Sequence, residues 1–259
     1  MSETLYNLLR SLHKTFRQVR PVELSFSCPV CGAAEFGKSR VLWNKLVREW
    51  ELSQAERNYT DNQQGLFCRR CESNLRSMTL ASAVLSHWKL EQNFREICAR
   101  GGVLWSLQVL EINEAGQLSS HLAALPGHIL ATYPTVNMQA MTYENESFDL
   151  ILHSDTLEHV PDPVQALREC RRVLKSTGVM TYTVPVIFGR ATRRRDGLPP
   201  SYHGSILNRS EGYRVVTEYG HDFYLQASEA GFRSVSMHSL LFPDSTALIC
   251  CQPLVSARV

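Results

Sequence analysis

The 259-residue chain lacks a long apolar run, and no stretch approaches the ~18–20 residues that a membrane-spanning helix needs. Its first residues lack the apolar core and the small-residue cleavage site of a secretory signal. A large excess of one charge is also absent, because the formal net charge is +2. We therefore expect a cytosolic protein without a membrane partner. In that compartment eight cysteines favour metal or thiol chemistry over a disulfide framework.

The charge is unevenly distributed, since the first 100 residues hold 15 Lys and Arg against 10 Asp and Glu. A basic front segment can bind the phosphate backbone of RNA, but it can equally be an ordinary solvated surface. The small net charge and the lack of interleaved aromatic residues count against nucleic acid as the partner. Nothing in the sequence sets the oligomeric state.

Hydrophobic spacing and punctuation divide the chain into three parts. Apolar residues at helical spacing predict an amphipathic N-terminal helix over residues 1–20. Residues 21–75 carry four cysteines and no long periodic pattern, which is typical of a small metal-organised module. Residues 76–259 form the large domain, which begins with a predicted helix over 75–98.

Strand and helix patterns alternate through the large domain. Strands are predicted at 107–112, around 128–131, and at 148–153, 179–184, 234–241 and 245–251. Helices are predicted at 118–125, 162–174 and 221–230. Such alternation predicts an α/β fold with a doubly wound, mostly parallel sheet and an antiparallel last strand.

Two C-x-x-C pairs stand in the predicted module, at Cys28–Cys31 and at Cys68–Cys71. Each pair lets two thiolates approach one ion from a tight turn, and two pairs complete a closed tetrahedral S4 site. We expect structural zinc, with iron in the same cage and unrelated buried thiols as alternatives. The other cysteines lie in predicted helices or strands as small buried hydrophobes, namely Cys98, Cys170, Cys250 and Cys251.

Three blocks of sequence carry a resemblance to a known family. They are VLEINEAG at 109–116, SFDLILHSDTLEHV at 147–160 and ALRECRRVLK at 166–175, followed by Gly178 and a strand that ends in Thr183-Val184-Pro185. With these residues the chain resembles class I S-adenosylmethionine-dependent methyltransferases. More narrowly, it is similar to members that carry a small zinc-binding segment ahead of a Rossmann-like domain. The resemblance spans residues 107–251 and implies S-adenosylmethionine as the cofactor.

The resemblance places part of the cofactor site in the loop after the first strand. Glu111 fills the acidic position of the family pattern, and Gly116 keeps one of its glycines. Asn113 and Ala115 stand where glycines are expected. Because Asn tolerates a positive φ and Ala is small, the turn remains feasible.

A second departure follows the strand around residues 128–131, where the family commonly has an acidic residue that binds the ribose. Thr132 and Tyr133 stand there instead, and the connection to the next strand is too short for the usual helix. Asn137 and Met138 match the segment that meets the adenine ring, although core packing explains Met138 equally well. Ser154 and Asp155 complete the predicted cofactor set.

Two regions hold the candidate catalytic residues. Glu158 and His159 follow the strand at 148–153, where they act either as a general base pair or as a brace of the loop. The insert at 185–220 adds Tyr202 and His203, and it is either a substrate lid or a solvated surface loop. In the lid interpretation, its arginines bind an anionic substrate. They are Arg190, Arg193, Arg194 and Arg195.

The leading hypothesis is methyl transfer to an oxygen or nitrogen of a small-molecule or glycan-type acceptor. One alternative uses the same cofactor for aminocarboxypropyl transfer or cyclisation, because the same pocket serves all three sulfonium carbons. Another is RNA methylation with the basic module on the backbone. The last is a non-catalytic binding module, which the altered glycine loop keeps open.

Overall fold

A computed structural model describes residues 19–202 and 211–252 of the chain. The predicted helix over residues 1–20 lies almost entirely outside these ranges, and so does His203. In the part of the chain that the structure describes, no helix is both long and apolar enough to cross a membrane.

The N-terminal part folds around a small antiparallel sheet with strand order β1-β2-β3. Its strands are β1 (Arg20–Val22), β2 (Phe36–Lys38) and β3 (Leu66–Cys68). The helices of this part and of the start of the large domain are α1 (Asn44–Glu49), α2 (Gln54–Gly65), α3 (Leu75–His87) and α4 (Phe94–Cys98).

Two of these helices, α1 and α2, lie where sequence analysis found no periodic pattern. The α2 helix begins with a capping box, in which Ser53 Oγ accepts from Glu56 N and the Glu56 carboxylate accepts from Ser53 N. Its sequence, QAERNYTDNQQG, has no apolar stripe, so hydrophobic spacing cannot reveal it. The capping box was the signal available in the sequence.

The large domain continues with short helices between strands. Its elements are β4 (Val109–Ile112), α5 (Ser119–Leu122), β5 (His128–Ala131), β6 (Phe148–Ser154), α6 (Pro163–Val173), β7 (Leu174–Thr183), β8 (Val186–Ile187), β9 (Arg193–Arg194), β10 (Thr217–Gly220), α7 (Leu225–Glu229), β11 (Ser234–Leu241) and β12 (Ser245–Cys251).

The six strands of the main sheet confirm the predicted α/β class. Their order is β11-β12-β7-β6-β4-β5, and the pairs among β4, β5, β6 and β7 are parallel. The β12 strand runs antiparallel to both of its neighbours, as the predicted antiparallel last strand requires. Apolar cores cover both faces, with α3 on one face and α6 and α7 on the other.

Several predicted boundaries are wrong. The helix expected over 75–98 is divided into α3 and α4, and the helix expected over 118–125 is a 3-10 turn followed by the short α5. The strand expected from residue 107 begins at Val109, and the helix expected from residue 221 begins at Leu225. The residues at these wrong boundaries lie in turns or irregular segments. Their apolar spacing also fits helices or strands, and for that reason the sequence predicts such elements there.

Gly178 lies at a further wrong boundary, because the strand predicted at 179–184 begins earlier, at Leu174. The α6 helix ends at Val173, and β7 begins at the next residue and passes through Gly178. A Cβ atom at Gly178 would lie 2.8 Å from Leu174 Cδ1 and 3.0 Å from the Asp149 carbonyl oxygen. The glycine therefore marks a close approach between chain segments inside a strand.

The connection between β5 and β6 is shorter than in a full doubly wound sheet. Residues 132–147 form neither helix nor strand, which confirms the prediction that the usual helix is shortened or missing. As a result β5 is the edge strand of the sheet.

The insert at 185–220 is more regular than the sequence suggested. Its described part forms a second three-stranded sheet, with order β8-β10-β9. This sheet packs on α1, since Ile187 and Val215 share a small core with Leu46 and Trp50. The N-terminal part and the insert therefore support each other.

Candidate functional site

The carboxyl ends of β4, β5 and β6 meet at the point where the strand order reverses. The chain passes from β4 to β5 on one side and then returns to β6 on the other side. In open α/β sheets ligands bind in the crevice outside the carboxyl ends of the strands at such a point. The predicted cofactor residues follow these three strands.

Glu111, at the end of β4, holds the first loop from within the protein. Its Oε1 atom accepts a hydrogen bond from the Ala115 amide at 2.7 Å and another from the Ser119 hydroxyl. Its Oε2 atom lies 2.8 Å from His128 Nε2, and the side chain is fully buried. Glu111 thus shapes the loop and joins it to β5.

The backbone of this loop confirms that the altered glycine pattern permits the turn. Asn113 has a φ of 54° and Gly116 a φ of 63°, whereas Ala115 has an ordinary φ of −77°. Only the first two positions need left-handed backbone, which Asn and Gly tolerate. A Cβ atom at Gly116 would also lie 2.6 Å from Ser77 Oγ.

Asn113 connects the loops that follow the three strands. Its Oδ1 atom accepts from the Tyr133 amide at 3.1 Å, beyond β5. Its Nδ2 atom donates to Thr156 Oγ1 at 3.4 Å, beyond β6. One side chain thereby fixes the relative positions of all three loop ends at the switch point.

The other predicted residues beyond β5 fall into two groups. Thr132, Tyr133 and Asn137 are exposed, and Tyr133 is 65% accessible. Met138 is buried in the core on the α6 face, which agrees with the packing alternative. The three exposed residues can contact a ligand in the crevice, whereas Met138 packs in the core beneath these residues.

Ser154 and Asp155 end β6 beside Thr183 of β7. The Ser154 and Thr183 hydroxyls lie 2.8 Å apart, and the Asp155 amide donates to the Thr183 carbonyl. Asp155 has a φ of 47° and forms an ion pair with Arg76 of α3. Among the residues that the structure describes, no hydrogen-bond partner reaches the buried Asp155 Oδ1 and Arg76 Nε atoms, so the ion pair itself is their main interaction.

Arg76 was missed by sequence reasoning. It is the one Arg, Lys, Asp or Glu within the otherwise uncharged α3, and its side chain is 12% exposed. A lone charge in an apolar helix that directly follows the second cysteine pair was the signal available in the sequence.

Glu158 and His159 lie in a 3-10 turn beyond β6. His159 Nδ1 is 3.0 Å from the Arg214 carbonyl oxygen, and Nε2 is 3.6 Å from Glu158 Oε1. Both ring nitrogens therefore face protein groups, as expected of a brace. The insert continues this contact, because the Val216 amide donates to the Glu158 carbonyl.

Tyr202 joins this region through the backbone, where it pairs with Arg214 in an isolated β-bridge. The structure thus brings Tyr202 to the same strand segment that contacts His159. Of the four predicted catalytic residues, His203 alone lies outside the described part of the chain.

His153 is a second residue that sequence reasoning missed. It precedes the predicted site on β6, is fully buried and stacks on Tyr182 with ring centroids 4.6 Å apart. Burial lowers the pKa of His153 to about 3, although the nearby Glu158 carboxylate opposes the shift. The ring is therefore neutral near pH 7 and is part of the core below the site.

The four arginines of the insert are all engaged with acidic groups. Arg190 pairs with Glu56, and Arg194 pairs with Asp196. Arg193 and Arg195 share Glu218. These contacts hold the insert together and join it to α2, so they give the arginines a structural role without any anionic substrate.

The two C-x-x-C pairs form one cluster, and their sulfur atoms lie within 4.8 Å of one another. Cys28 Sγ is 3.7 Å from Cys71 Sγ, and Cys31 Sγ is 3.7 Å from Cys68 Sγ. These separations are too long for disulfides but close to the edge of a tetrahedron around zinc, about 3.8 Å for Zn–S bonds of about 2.3 Å. The donor set fits a closed metal site.

The thiol arrangement also favours metal binding electrostatically. A hydrogen bond from Cys28 lowers the pKa of Cys71, so a thiolate is available in the cluster. Burial raises the pKa of Cys31 to about 11, so in the absence of a cation that sulfur keeps its proton at neutral pH. A bound cation would deprotonate such thiols.

The comparisons with known proteins concern the same strands and loops. Residues 107–182, from just before β4 to the last residue but one of β7, match a family described as "Methyltransferase domain". A ubiquinone biosynthesis O-methyltransferase of Pseudomonas putida is 28% identical over 125 residues, which are 47% of this chain and 50% of that protein. A protein of the same description from Stutzerimonas stutzeri is 27% identical over the same shares. The chain thus spans half the length of these curated relatives.

Solved structures give distant likenesses. A methyltransferase of Thermotoga maritima, described as a possible histamine N-methyltransferase, is 16% identical with a TM-score of 0.40, and the match covers 69% of this chain and 90% of that one. A methyltransferase of Aquifex aeolicus is 10% identical with a TM-score of 0.39, and the match covers 68% and 93%. Residues 107–182 therefore resemble a methyltransferase domain, and they include the β4, β6 and β7 strands and the loops of the candidate site.

Proposed function

We propose that the protein transfers the methyl group of S-adenosylmethionine to an oxygen atom of a small-molecule acceptor. The observation that carries this proposal is the Asn113 side chain, which ties together the three loops at the switch point. Left-handed backbone at Asn113, Gly116 and Asp155 shapes the surface between these loops. The names of the curated O-methyltransferase relatives favour oxygen as the acceptor atom.

In this proposal the cofactor supplies a methyl carbon that is activated by a positive sulfonium. After its proton passes to solvent, the acceptor oxygen would attack that carbon in line, so the new C–O bond would form as the C–S bond breaks and S-adenosylhomocysteine leaves. The protein contributes alignment, through the loop that Glu111 and Asn113 hold. The mostly buried ion pair between Asp155 and Arg76 would hold the loop beyond β6 in place.

The orientation of His159 bears on the acceptor. Because both of its ring nitrogens face protein groups, it braces the loop and does not act as a free base. An acceptor hydroxyl of low pKa, such as a phenol, loses its proton most readily without a strong base. A phenolic small molecule is therefore the acceptor class to test first.

The four cysteines would hold one zinc ion. All four positions of the tetrahedron are filled by sulfur, so the ion would have no open position for substrate and would stabilise the fold. Protein purified without chelator is expected to contain one zinc per chain. Equimolar iron would favour the alternative metal, and absence of both metals would contradict the assignment.

Isotopically labelled cofactor tests the reaction directly. Protein is incubated with a panel of simple phenols and simple amines and with S-adenosylmethionine labelled either in the methyl group or in the carboxyl carbon. Methyl transfer predicts label in the product only from the methyl-labelled cofactor. Product label from the carboxyl carbon would indicate aminocarboxypropyl transfer, and release of S-adenosylhomocysteine only with amines would move the acceptor to nitrogen.

Two substitutions at one position test the role of the loop. Asn113→Gly keeps the left-handed backbone but removes both side-chain hydrogen bonds, whereas Asn113→Ala removes the bonds and also disfavours the positive φ. We expect a modest loss of S-adenosylhomocysteine affinity for Gly and a larger loss for Ala. Equal affinity of both variants and the unaltered protein would contradict this role.

A further inference from the structure

The α3 helix connects the four-cysteine cluster to the candidate cofactor crevice. It begins at Leu75, four residues after Cys71, and its first turn carries Arg76 and Ser77. Its helical N-cap is Asn74, whose Oδ1 atom accepts from the Ser77 amide at 2.9 Å. The segment between the last cysteine and the first helical turn is therefore short and ordered.

The turn over Cys68–Cys71, here called the cysteine turn, fixes the start of this helix. The Cys68 amide donates to the Ser73 carbonyl at 2.9 Å, and the Cys71 sulfur lies 3.3 Å from Ser73 Oγ. Phe67 and Asn74 also pair in an isolated β-bridge. A shift of the cysteine turn must therefore move the helix start with it.

The first turn of α3 contacts both loops of the crevice. Arg76 forms the ion pair with Asp155 beyond β6, and its terminal nitrogens also lie 3.1 Å from the side-chain amide of Gln64 in α2, whose oxygen can accept from both. Ser77 Oγ lies against Gly116 of the loop beyond β4. Two adjacent side chains thus reach both loops that flank the switch point.

The Arg76–Asp155 pair has the properties of a coupling contact. The Arg76 side chain is 12% exposed and that of Asp155 is 17% exposed, so water screens the pair weakly. Asp155 is also held by its backbone hydrogen bond to Thr183, at the end of β7. Removing one partner leaves a charge that is mostly buried, which is costly.

We propose that Arg76 is a positioning residue that couples metal binding at the four cysteines to cofactor binding in the crevice. Metal holds the cysteine turn, the turn holds the first turn of α3, and Arg76 and Ser77 then hold the loops at Asp155 and Gly116. This proposal rests on the proposed function, since it concerns the same crevice. Because coupling is reciprocal, cofactor binding must also strengthen metal binding by the same factor.

Metal competition provides a test that does not depend on catalysis. Zinc affinity is measured by titration against a chromogenic chelator, with and without saturating S-adenosylhomocysteine. We expect the ligand to raise zinc affinity about 10-fold in the unaltered protein, within the usual range of coupling. In Arg76→Gln we expect full zinc content at saturating zinc. The ligand should change the zinc affinity of this variant by less than about twofold. Arg76→Lys, which keeps the charge, should recover part of the effect.

Lys175→Gln is the matched control, because Lys175 pairs with Asp149 at the opposite end of β6. It removes an ion pair from the same strand and should leave the coupling unchanged. An unaltered 10-fold effect in Arg76→Gln would overturn the proposal, and so would equal loss in Lys175→Gln.

Hydrogen exchange separates this proposal from the proposed function. If the unaltered, zinc-loaded protein binds no S-adenosylhomocysteine, the proposed function fails, but the coupling remains measurable. We then expect zinc removal to accelerate amide exchange in peptides that cover 113–119 and 155–160. Arg76→Gln should show that faster exchange with zinc bound. If exchange in both peptides is unchanged by zinc removal, or by the substitution, the coupling is overturned.

Discussion

Two regions of this chain contain clusters of one residue type, and they differ in what those residues face. The four cysteines near the N-terminus face one another, with sulfur pairs 3.7 Å apart. The four arginines of the insert each face a carboxylate that the chain itself supplies. The cysteines therefore form an arrangement that a cation completes, whereas each arginine already has an acidic partner within the chain.

This difference shows how far residue clustering in a sequence indicates a site. A C-x-x-C pair constrains both side chains to one local target, so its function follows from its spacing. Arginines that are neighbours in sequence need not bind the same group. Their role depends on acidic residues elsewhere in the chain, such as Glu56 and Glu218. We therefore expect cysteine substitutions to affect metal binding and folding together, and arginine substitutions to affect stability alone.

The largest effect is expected from Cys68→Ser. Losing one of four ligands should abolish stoichiometric zinc and destabilise the protein by several kcal/mol, because metal-binding energy contributes to folding. Metal analysis and thermal unfolding measure both quantities. Cys98→Ser changes a buried cysteine outside the cluster and should retain zinc. Full zinc content in Cys68→Ser would contradict the four-ligand site.

The next largest effect is expected from Glu218→Gln. Glu218 is 4% exposed and accepts from both Arg193 and the buried Arg195, so its neutralisation leaves a buried guanidinium without its counter-charge. We expect a loss of about 3–5 kcal/mol in the free energy of unfolding, measured with denaturant. Zinc content should not change. A loss below about 1 kcal/mol would show that the insert does not depend on this pair.

A smaller, pH-dependent effect on stability is expected from Glu56→Gln. Its ion pair with Arg190 lowers the pKa of Glu56 from 4.5 to about 2 in the folded protein. The pair therefore stabilises the protein above about pH 4.5, and this contribution, about 3 kcal/mol, is lost as the pH falls towards 2. Glu56→Gln should be less stable at pH 7 and should lose less stability on acidification. The measurement is the free energy of unfolding of both proteins as a function of pH. An equal loss in Glu56→Gln and in the unaltered protein on acidification would contradict the predicted direction.

The smallest effect is expected from Arg194→Gln. Arg194 and Asp196 are 47% and 70% exposed, so their pair is screened by water and salt. We expect less than about 1 kcal/mol of destabilisation and unchanged affinity for S-adenosylhomocysteine. A large loss of acceptor turnover with unchanged stability would restore the substrate-binding role of the arginine cluster.

The parts of the fold that the sequence predicted are those with local patterns. Buried strands such as β6 and the turn at Gly116 have periodic or punctuated sequences, and the cysteine pairs have fixed spacing. The α2 helix has neither, and its capping box was the only local sign of it. The ion pair between Arg76 and Asp155 joins residues far apart in the chain, so no local pattern could show it.

In the candidate site, too, some features follow from a local sequence pattern and others depend on the tertiary structure. Asn113 was expected to tolerate a positive φ, and its φ of 54° confirms this because Asn commonly adopts that region. The connection of Asn113 to Tyr133 and Thr156 depends on how three strands pair in space. Sequence could place the residues on loops, but only the sheet order brings the loops together.

Calorimetric titration of the zinc-loaded protein with S-adenosylhomocysteine tests most directly whether the switch-point loops form a cofactor site. We predict binding in the micromolar range at one site per chain. In Glu111→Ala, which removes the acceptor for Ala115, Ser119 and His128, we predict that this binding is lost. No binding to the unaltered protein would contradict the assignment of the crevice, and equal binding by Glu111→Ala would contradict the role of its loop.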